Sequence, residues 1–281
     1  MHDMHLLRHA LLAGACRFVL FEERNRESMV IFVGAGPGAP DLITLRGMRA
    51  LQQADVVIYA GSLVNPELLS FCREGCNIHN SAVMTLEQVI SVIESAEAEG
   101  KTTVRLHTGD TALYSTIREQ TDALEKRGIP YEIVPGVSSF CAAAAAVGAE
   151  YTVPGISQTV ILTRMASRTP VPAREEIASL SAHGTSMTVF LSAGLLPQLQ
   201  EELLKGAYTS ETPACIVYKA SWPEEQVIHC TVGTLASKGE KQGIRNTALI
   251  LVGDFLCGEY ERSRLYDPGF STMFRKGGSE A

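Results

Sequence analysis

The chain has 281 residues, and 24 basic against 31 acidic side chains leave a formal charge of −7. An apolar fraction of 46% excludes a disordered or low-complexity protein, and the length allows one or two domains with ample chain for a core. The acidic balance argues against a nucleic-acid binder, which shows a basic stripe, but leaves room for a local basic trough around an anionic small molecule.

The first apolar run, ALLAGACRFVLF at residues 10–21, imitates a signal-peptide core, yet Arg17 interrupts it and it is too short to span a bilayer. A polar stretch follows, and Met29 opens directly into a strand-like run. Residues 1–28 therefore read as an extension outside the fold, with Met29 as the functional start and a targeting peptide as the alternative. No other segment is expected to cross a membrane. From there short apolar runs alternate with amphipathic stretches: strands are expected at Val30–Val33, Val56–Ala60, Thr103–His107 and Tyr131–Val134. Helices are expected at Thr44–Ala54, Thr85–Glu99 and about Leu113–Arg127, the last two stopped by Gly100 and Gly128. This rhythm indicates a mainly parallel sheet covered by helices. The alanine-rich Ser139–Val147 predicts a helix whose small side chains permit close packing on a neighbour.

Past a boundary expected near residues 149–156 the strands become denser: Thr159–Thr163, Met187–Ser192, Ala214–Ala220, Gln226–Thr231 and Ala248–Val252. The connection SWPEE between the third and fourth of these is too short for a crossover and predicts an antiparallel hairpin. The fold class is thus α/β: an N-terminal domain over 29–150 with a mainly parallel sheet, and a C-terminal domain over 156–257 with a mixed sheet. A polar tail from Gly258 is expected on the surface. The seven cysteines are scattered without a CxxC pair or zinc-finger spacing, so they read as reduced thiols in a cytoplasmic protein, with no metal site.

The loop GAGPGA at 34–39 formally satisfies a dinucleotide fingerprint, and Asp55 lies about 20 residues on. Pro37 and Pro40 interrupt the point where a helix should begin, and Asp55 precedes its strand instead of following it. The loop reads better as a rigid turn at a ligand-binding edge, with Asp41 and Thr44 as caps for the helix that follows. Two further strands end in similar turns, TGDTALY at 108–114 being one and VPGVSS at 134–139 the other. Asp110 either caps the next helix or shapes a pocket. Ser138 lacks a nucleophile elbow and suits capping or ligand hydrogen bonding. Three small, polar strand ends on one sheet edge predict one shared pocket.

The ordered set GAGPGAPDLIT, HTGDTALYS, VPGVSSF, TVILTR with RTPVP, and YKASWPEE resembles the tetrapyrrole (corrin/porphyrin) methylase family over about residues 29–256. The resemblance implies a homodimeric two-domain methyltransferase with S-adenosylmethionine in the cleft between domains. The activity implied is C11 methylation of precorrin-4 or cobalt-precorrin-4 in cobalamin biosynthesis. The alternatives are another tetrapyrrole methylase, acting for example on uroporphyrinogen III or another precorrin, a non-catalytic tetrapyrrole-binding protein, or a nucleotide-dependent oxidoreductase. The cofactor positions it implies are Pro37, Thr108, Gly109, Asp110, Leu113, Ser138 and Ser139. In the second domain they are Leu191 or Ser192, and Ala220, with Thr247 and Leu249 as weaker candidates.

Methyl transfer from a sulfonium needs alignment of donor and acceptor more than a metal or covalent nucleophile. A polycarboxylate tetrapyrrole needs cations, for which Arg105, Arg118, Arg164, Arg168, Arg174 and Lys219 are available, with Arg164 and Arg168 best placed after a strand. Those two are expected to face the cleft, and the acidic surplus to lie elsewhere. Asp110 and Tyr114 are candidates for orienting the acceptor, while His107 reads as a packed histidine.

Overall fold

The computed structural model describes residues 28–61, 63–256 and 260–278. The expected N-terminal extension lies outside the described residues except for Ser28. Two five-stranded sheets account for all ten strands assigned among these residues.

The first sheet is wholly parallel, in the order β3 (Asn77–Asn80), β2 (Val56–Tyr59), β4 (Thr103–His107), β1 (Val30–Gly34), β5 (Tyr131–Val134). The inner strands β1, β2 and β4 are buried on both faces, which is why β1 and β2 read as continuous apolar runs. On one face Leu51 and Ala50 of α1 (Leu45–Gln53) join Ile31, Val33, Val104 and Leu106. On the other, Val89, Ile90 and Ile93 of α2 (Leu86–Ala98) and Leu124 of α3 (Ile117–Glu125) cover Phe32 and Ile58. Each of these Val, Leu, Ile and Phe side chains stabilises the fold by about 1.5–3 kcal/mol when buried. The chain reverses direction across the sheet between β4 and β1, and open α/β sheets bind ligands outside the strand C-termini at such a switch point.

Capping fixes the helix ends. The Thr44 hydroxyl accepts from Gly47 N at 3.1 Å, and Thr85 with Gln88 forms a reciprocal capping box. The expected ranges Thr44–Ala54 and Thr85–Glu99 include these caps, so the helices proper are one residue shorter at each end. Asp41 does not cap α1; it lies in a separate 3-10 turn, Pro40–Leu42.

The second sheet is mixed, in the order β6 (Val160–Arg164), β7 (Ser186–Phe190), β10 (Ala248–Val252), β8 (Pro213–Tyr218), β9 (Gln226–Thr231). β6 and β7 are parallel; the other pairs are antiparallel, and β8–β9 is the hairpin anticipated from its short connection. One face is covered by α5 (Ile177–Ser181), α6 (Leu196–Leu203) and α7 (Leu235–Lys241). The other receives the alanine helix α4 (Ser139–Val147), whose Ala142, Ala143 and Ala144 pack with Phe190, Val217, Leu249 and Leu251. Thus α4 precedes the expected boundary in sequence but shares its core with the second sheet.

Several boundaries differ from the sequence expectation. The third helix begins at Ile117 and not at Leu113, because Tyr114 and Thr116 are left-handed (φ 53° and 52°) and cannot continue a right-handed helix. β7 stops at Phe190, before a left-handed Leu191, and β8 stops at Tyr218, before a left-handed Lys219. β3 was not anticipated; its sequence NIHN has a single apolar residue, and it is an exposed edge strand. Residues 260–278 run over the surface with most side chains exposed.

Candidate functional site

At the switch point, the loops after β1, β4 and β5 interlock through their backbones. Gly36 and Gly109 form an isolated antiparallel bridge, with Gly36 N donating to Gly109 O at 3.1 Å and Gly109 N to Gly36 O at 2.8 Å. A Cβ on Gly34 would lie 2.6 Å from Gly136 Cα, so only glycines permit this approach. The Asp110 carboxylate completes the junction. One oxygen accepts from Ala112 N at 2.8 Å and the other from Gly136 N at 2.7 Å, tying the β4 loop to the β5 loop. Both reaches of this carboxylate are engaged in holding backbone, which makes it a positioning group.

Beneath the junction, His107 stacks on Phe32 with ring centroids 6.0 Å apart, and its Nε2 has no hydrogen-bond partner among the described residues. Burial, with the Arg105 charge adding to it, pushes the imidazole down to about 3, so it is neutral at physiological pH. Arg105 is itself buried, donating to Gln120 Oε1 at 2.9 Å and Ile58 O at 3.0 Å.

The second half approaches this junction with the β8–β9 turn. Trp222 Nε1 donates to Pro37 O at 3.0 Å, and the Ser221 hydroxyl accepts from Ala39 N at 3.0 Å. The indole lies so close over Gly38 that an added Cβ would stand 2.8 Å from its Cγ. From the first half, Asn65 Nδ2 reaches Gly38 O at 2.9 Å. The glycine loop is therefore clamped from both sides.

Between the two sheets lies a cleft of about 440 Å³. Its first wall comprises Pro37, Thr108, Gly109, Asp110 and Leu113, with Ser138 and Ser139 at the start of α4. Ser138 makes no capping hydrogen bond, which leaves its hydroxyl for the cleft. The second wall comprises Leu191, Ala220, Thr247 and Leu249, joined by Phe190, Val217 and Trp222. Eleven of the twelve positions expected around the cofactor thus line one space. The exception is Ser192, which is fully buried: its hydroxyl donates to Phe190 O at 2.7 Å and accepts from Met165 N at 3.0 Å. Leu191 is the member of that pair on the cleft wall, 63% exposed and left-handed at φ 51°.

Among the described residues six non-glycine residues are left-handed, and four of them, Tyr114, Leu191, Lys219 and Thr247, line this cleft. Such conformations cost about 1–3 kcal/mol each and collect where surrounding structure imposes them on a functional site.

The expected cations divide. Lys219 lines the cleft, 3.4 Å from Glu224 and over the Trp222 ring at 5.3 Å. Arg245, not singled out from the sequence, lines the same cleft. Arg164 does not face it; it lines a second cavity of about 460 Å³ that shares Tyr114 as a wall. Arg168 is exposed and lines neither, while Arg118 and Arg174 pair with Asp122 and Glu175. Among the described residues that line the cleft, Asp110 is the one acid. Asp55, the would-be ribose ligand, sits at the opposite end of the sheet, accepting from Thr102 N at 2.9 Å and pairing with Arg73. Tyr114 packs on Phe190 at 5.2 Å, and burial is the main reason its phenol is raised above the ordinary value, so it remains an O–H donor at neutral pH.

Comparison with known proteins places this architecture. The pattern of the Tetrapyrrole (Corrin/Porphyrin) Methylases matches residues 29–236. A cobalt-precorrin-4 C(11)-methyltransferase of Methanocaldococcus jannaschii is 48% identical over 90% of this chain and 98% of its own length. A precorrin-4 C(11)-methyltransferase of a Sinorhizobium species is 44% identical over 88% and 98%. Among solved structures, the cobalt precorrin-4 methyltransferase CbiF superposes with a TM-score of 0.81 at 43% identity, over 85% of this chain and all of that one. A Thermus thermophilus uroporphyrin-III C-methyltransferase, solved with S-adenosylhomocysteine, gives 0.68 at 27% identity, over 82% and 93%. No helix among the described residues is long and apolar enough to cross a membrane. On the matched pattern, the shared fold and relatives aligned over nearly their whole length, the chain belongs to the tetrapyrrole (corrin/porphyrin) methylases.

Proposed function

We propose that this protein transfers a methyl group from S-adenosylmethionine to C11 of precorrin-4 or cobalt-precorrin-4 in cobalamin biosynthesis. The observation that carries the reading is the shared cleft at the switch point, on which eleven expected cofactor positions converge from both halves of the chain. Its chemistry fits the cofactor. Hydroxyls at Thr108, Ser138 and Ser139 and the Gly109 backbone supply polar partners, and Leu113, Val217, Ala220 and Leu249 supply apolar walls. When bound, the cofactor supplies an electrophilic methyl group carried on a sulfonium.

The chain's own contribution is position. The interlocked glycines and Asp110 fix the first wall, and the Trp222–Pro37 hydrogen bond fixes the second wall against it. Holding donor and acceptor in a reactive alignment accounts for about 7–11 kcal/mol of barrier lowering in well-oriented reactions. Lys219 and Arg245 offer positive charge at the cleft to an acidic protein's anionic substrate. Tyr114, on the wall between the two cavities, can donate a hydrogen bond to the acceptor. We further read the enzyme as a cytoplasmic homodimer; the five described cysteines are free thiols, and the dimer is what the family resemblance implies.

The test is incubation with labelled S-adenosylmethionine and a panel of precorrins with and without cobalt. Label is expected in the precorrin-4 series; a folded protein that labels no tetrapyrrole overturns the proposal. Calorimetry should show binding of S-adenosylhomocysteine and none of NAD, whereas NAD binding alone would restore the dinucleotide alternative.

A further inference from the structure

We infer that the second cavity is a receptor for one carboxylate side chain of the tetrapyrrole, with Arg164 as its anchor; this rests on the substrate class proposed above. The cavity opens beside the first cleft, and Tyr114 belongs to the wall of both. Its polar lining includes Tyr114, Arg164 and Glu175, and Val171, Pro172 and Leu180 are among its apolar residues.

Arg164 is held in place by its own loop. Nη1 donates to Met165 O at 3.0 Å and Thr169 O at 3.2 Å, and Nη2 to Pro170 O at 2.9 Å. A guanidinium has five N–H donors, so two remain. No acid lies within ion-pair distance of Arg164 among the described residues. Neutral carbonyls fix the group without cancelling its charge, leaving a preorganised cation with donors to spare. That is a receptor for a carboxylate, because a guanidinium recognises carboxylates in pairs of parallel hydrogen bonds. The Tyr114 phenol, which bonds to no other described residue, supplies a further donor from the shared wall.

The apolar residues suit the short methylene stem on which a ring carboxylate is carried. The Glu175 carboxylate tempers the site; it also pairs with Arg174 at 3.6 Å on the exposed side. An acid at that place disfavours tight capture of small free anions. A ligand anchored elsewhere by its macrocycle can still place one carboxylate on Arg164.

The experiment titrates uroporphyrin III, an octacarboxylate tetrapyrrole, into the full-length protein and follows its absorbance. S-adenosylhomocysteine affinity is read in parallel by calorimetry. Arg164→Gln is expected to weaken uroporphyrin III binding by about 10- to 100-fold, the range for a lost charge-assisted hydrogen bond. Val171→Trp, which fills the cavity while leaving Arg164 and its carbonyl partners in place, should give a similar loss. Glu175→Gln should tighten binding by about two- to fivefold. S-adenosylhomocysteine affinity should stay unchanged in all three. Wild-type binding by both R164Q and V171W overturns the subsite but not the substrate class. Should R164Q also lose S-adenosylhomocysteine through collapse of its loop, V171W decides. Glutarate binding wild type as tightly as uroporphyrin III would make this a site for free dicarboxylates and overturn the inference. A wild type that binds no tetrapyrrole overturns the underlying reading itself.

Discussion

The two sheets build their sides of the cleft by different means. The parallel sheet contributes three strand-end loops locked together by backbone: the Gly36–Gly109 bridge, the Gly34–Gly136 contact and the Asp110 carboxylate. The mixed sheet contributes a hairpin turn and single side chains, several carried on left-handed residues that are not glycine. The difference teaches that one wall is a rigid floor and the other an adjustable face. A lesion in the first should be close to all-or-none, and one in the second should be graded.

The harshest test of that contrast is Asp110→Arg. It removes two charge-assisted bonds to backbone N–H groups, worth about 1.5–3 kcal/mol each, and places a bulky cation in the turn. Loss of detectable S-adenosylhomocysteine binding by calorimetry is expected, and unchanged affinity would show that the floor is not where the cofactor sits. Gly136→Ala should come next. Its Cβ would lie 2.7 Å from Gly34 Cα and collide with Gly109 O, for a cost of about 3 kcal/mol in a denaturant titration, with cofactor affinity falling alongside.

A third test sharpens the role of the buried polar pair under the floor. His107 is pushed down to about 3 in the folded chain from 6.5, so between those values the unfolded chain binds a proton that the folded chain refuses. Stability should therefore decline as pH falls below 6.5, by about 2 kcal/mol from this group at pH 5. Unfolding curves of His107→Phe should lose that part of the slope. The mildest effect belongs to the adjustable face. Trp222→Phe keeps most of the ring but deletes the bond to Pro37 O, and should cost about 1 kcal/mol, seen as a roughly fivefold weaker cofactor affinity in a folded enzyme. A total loss there would erase the contrast between the walls.

The same contrast explains what could be read from the sequence. Backbone crowding demands glycine, so the floor is legible as GAGPG, TGD and VPG, each at the C-terminal end of a strand expected from the sequence. The alternation of strands and helices and the β8–β9 hairpin were equally legible, because periodicity and connection length are local. Left-handed Leu191 and Lys219 carry no such mark, and both strand ends were overrun for that reason. The choice between Leu191 and Ser192 needed the burial of the serine hydroxyl. Trp222 was visible only as part of a short turn, since its partner Pro37 lies 185 residues away. Arg164 stands out in the sequence as a cation near a strand end, but it closes β6 and its direction depends on a loop whose carbonyls fold back upon it. β3 was missed because an exposed edge strand needs little apolar sequence.

The left-handed residues around the cleft also set a limit on engineering. Exchanging Leu191 or Thr247 for glycine would relieve backbone strain and raise thermal resistance, while stripping from the cleft wall the side chain that the strain holds there. Heat tolerance and turnover should pull against each other at these positions. Selection for a hardier variant would be expected to erode them first.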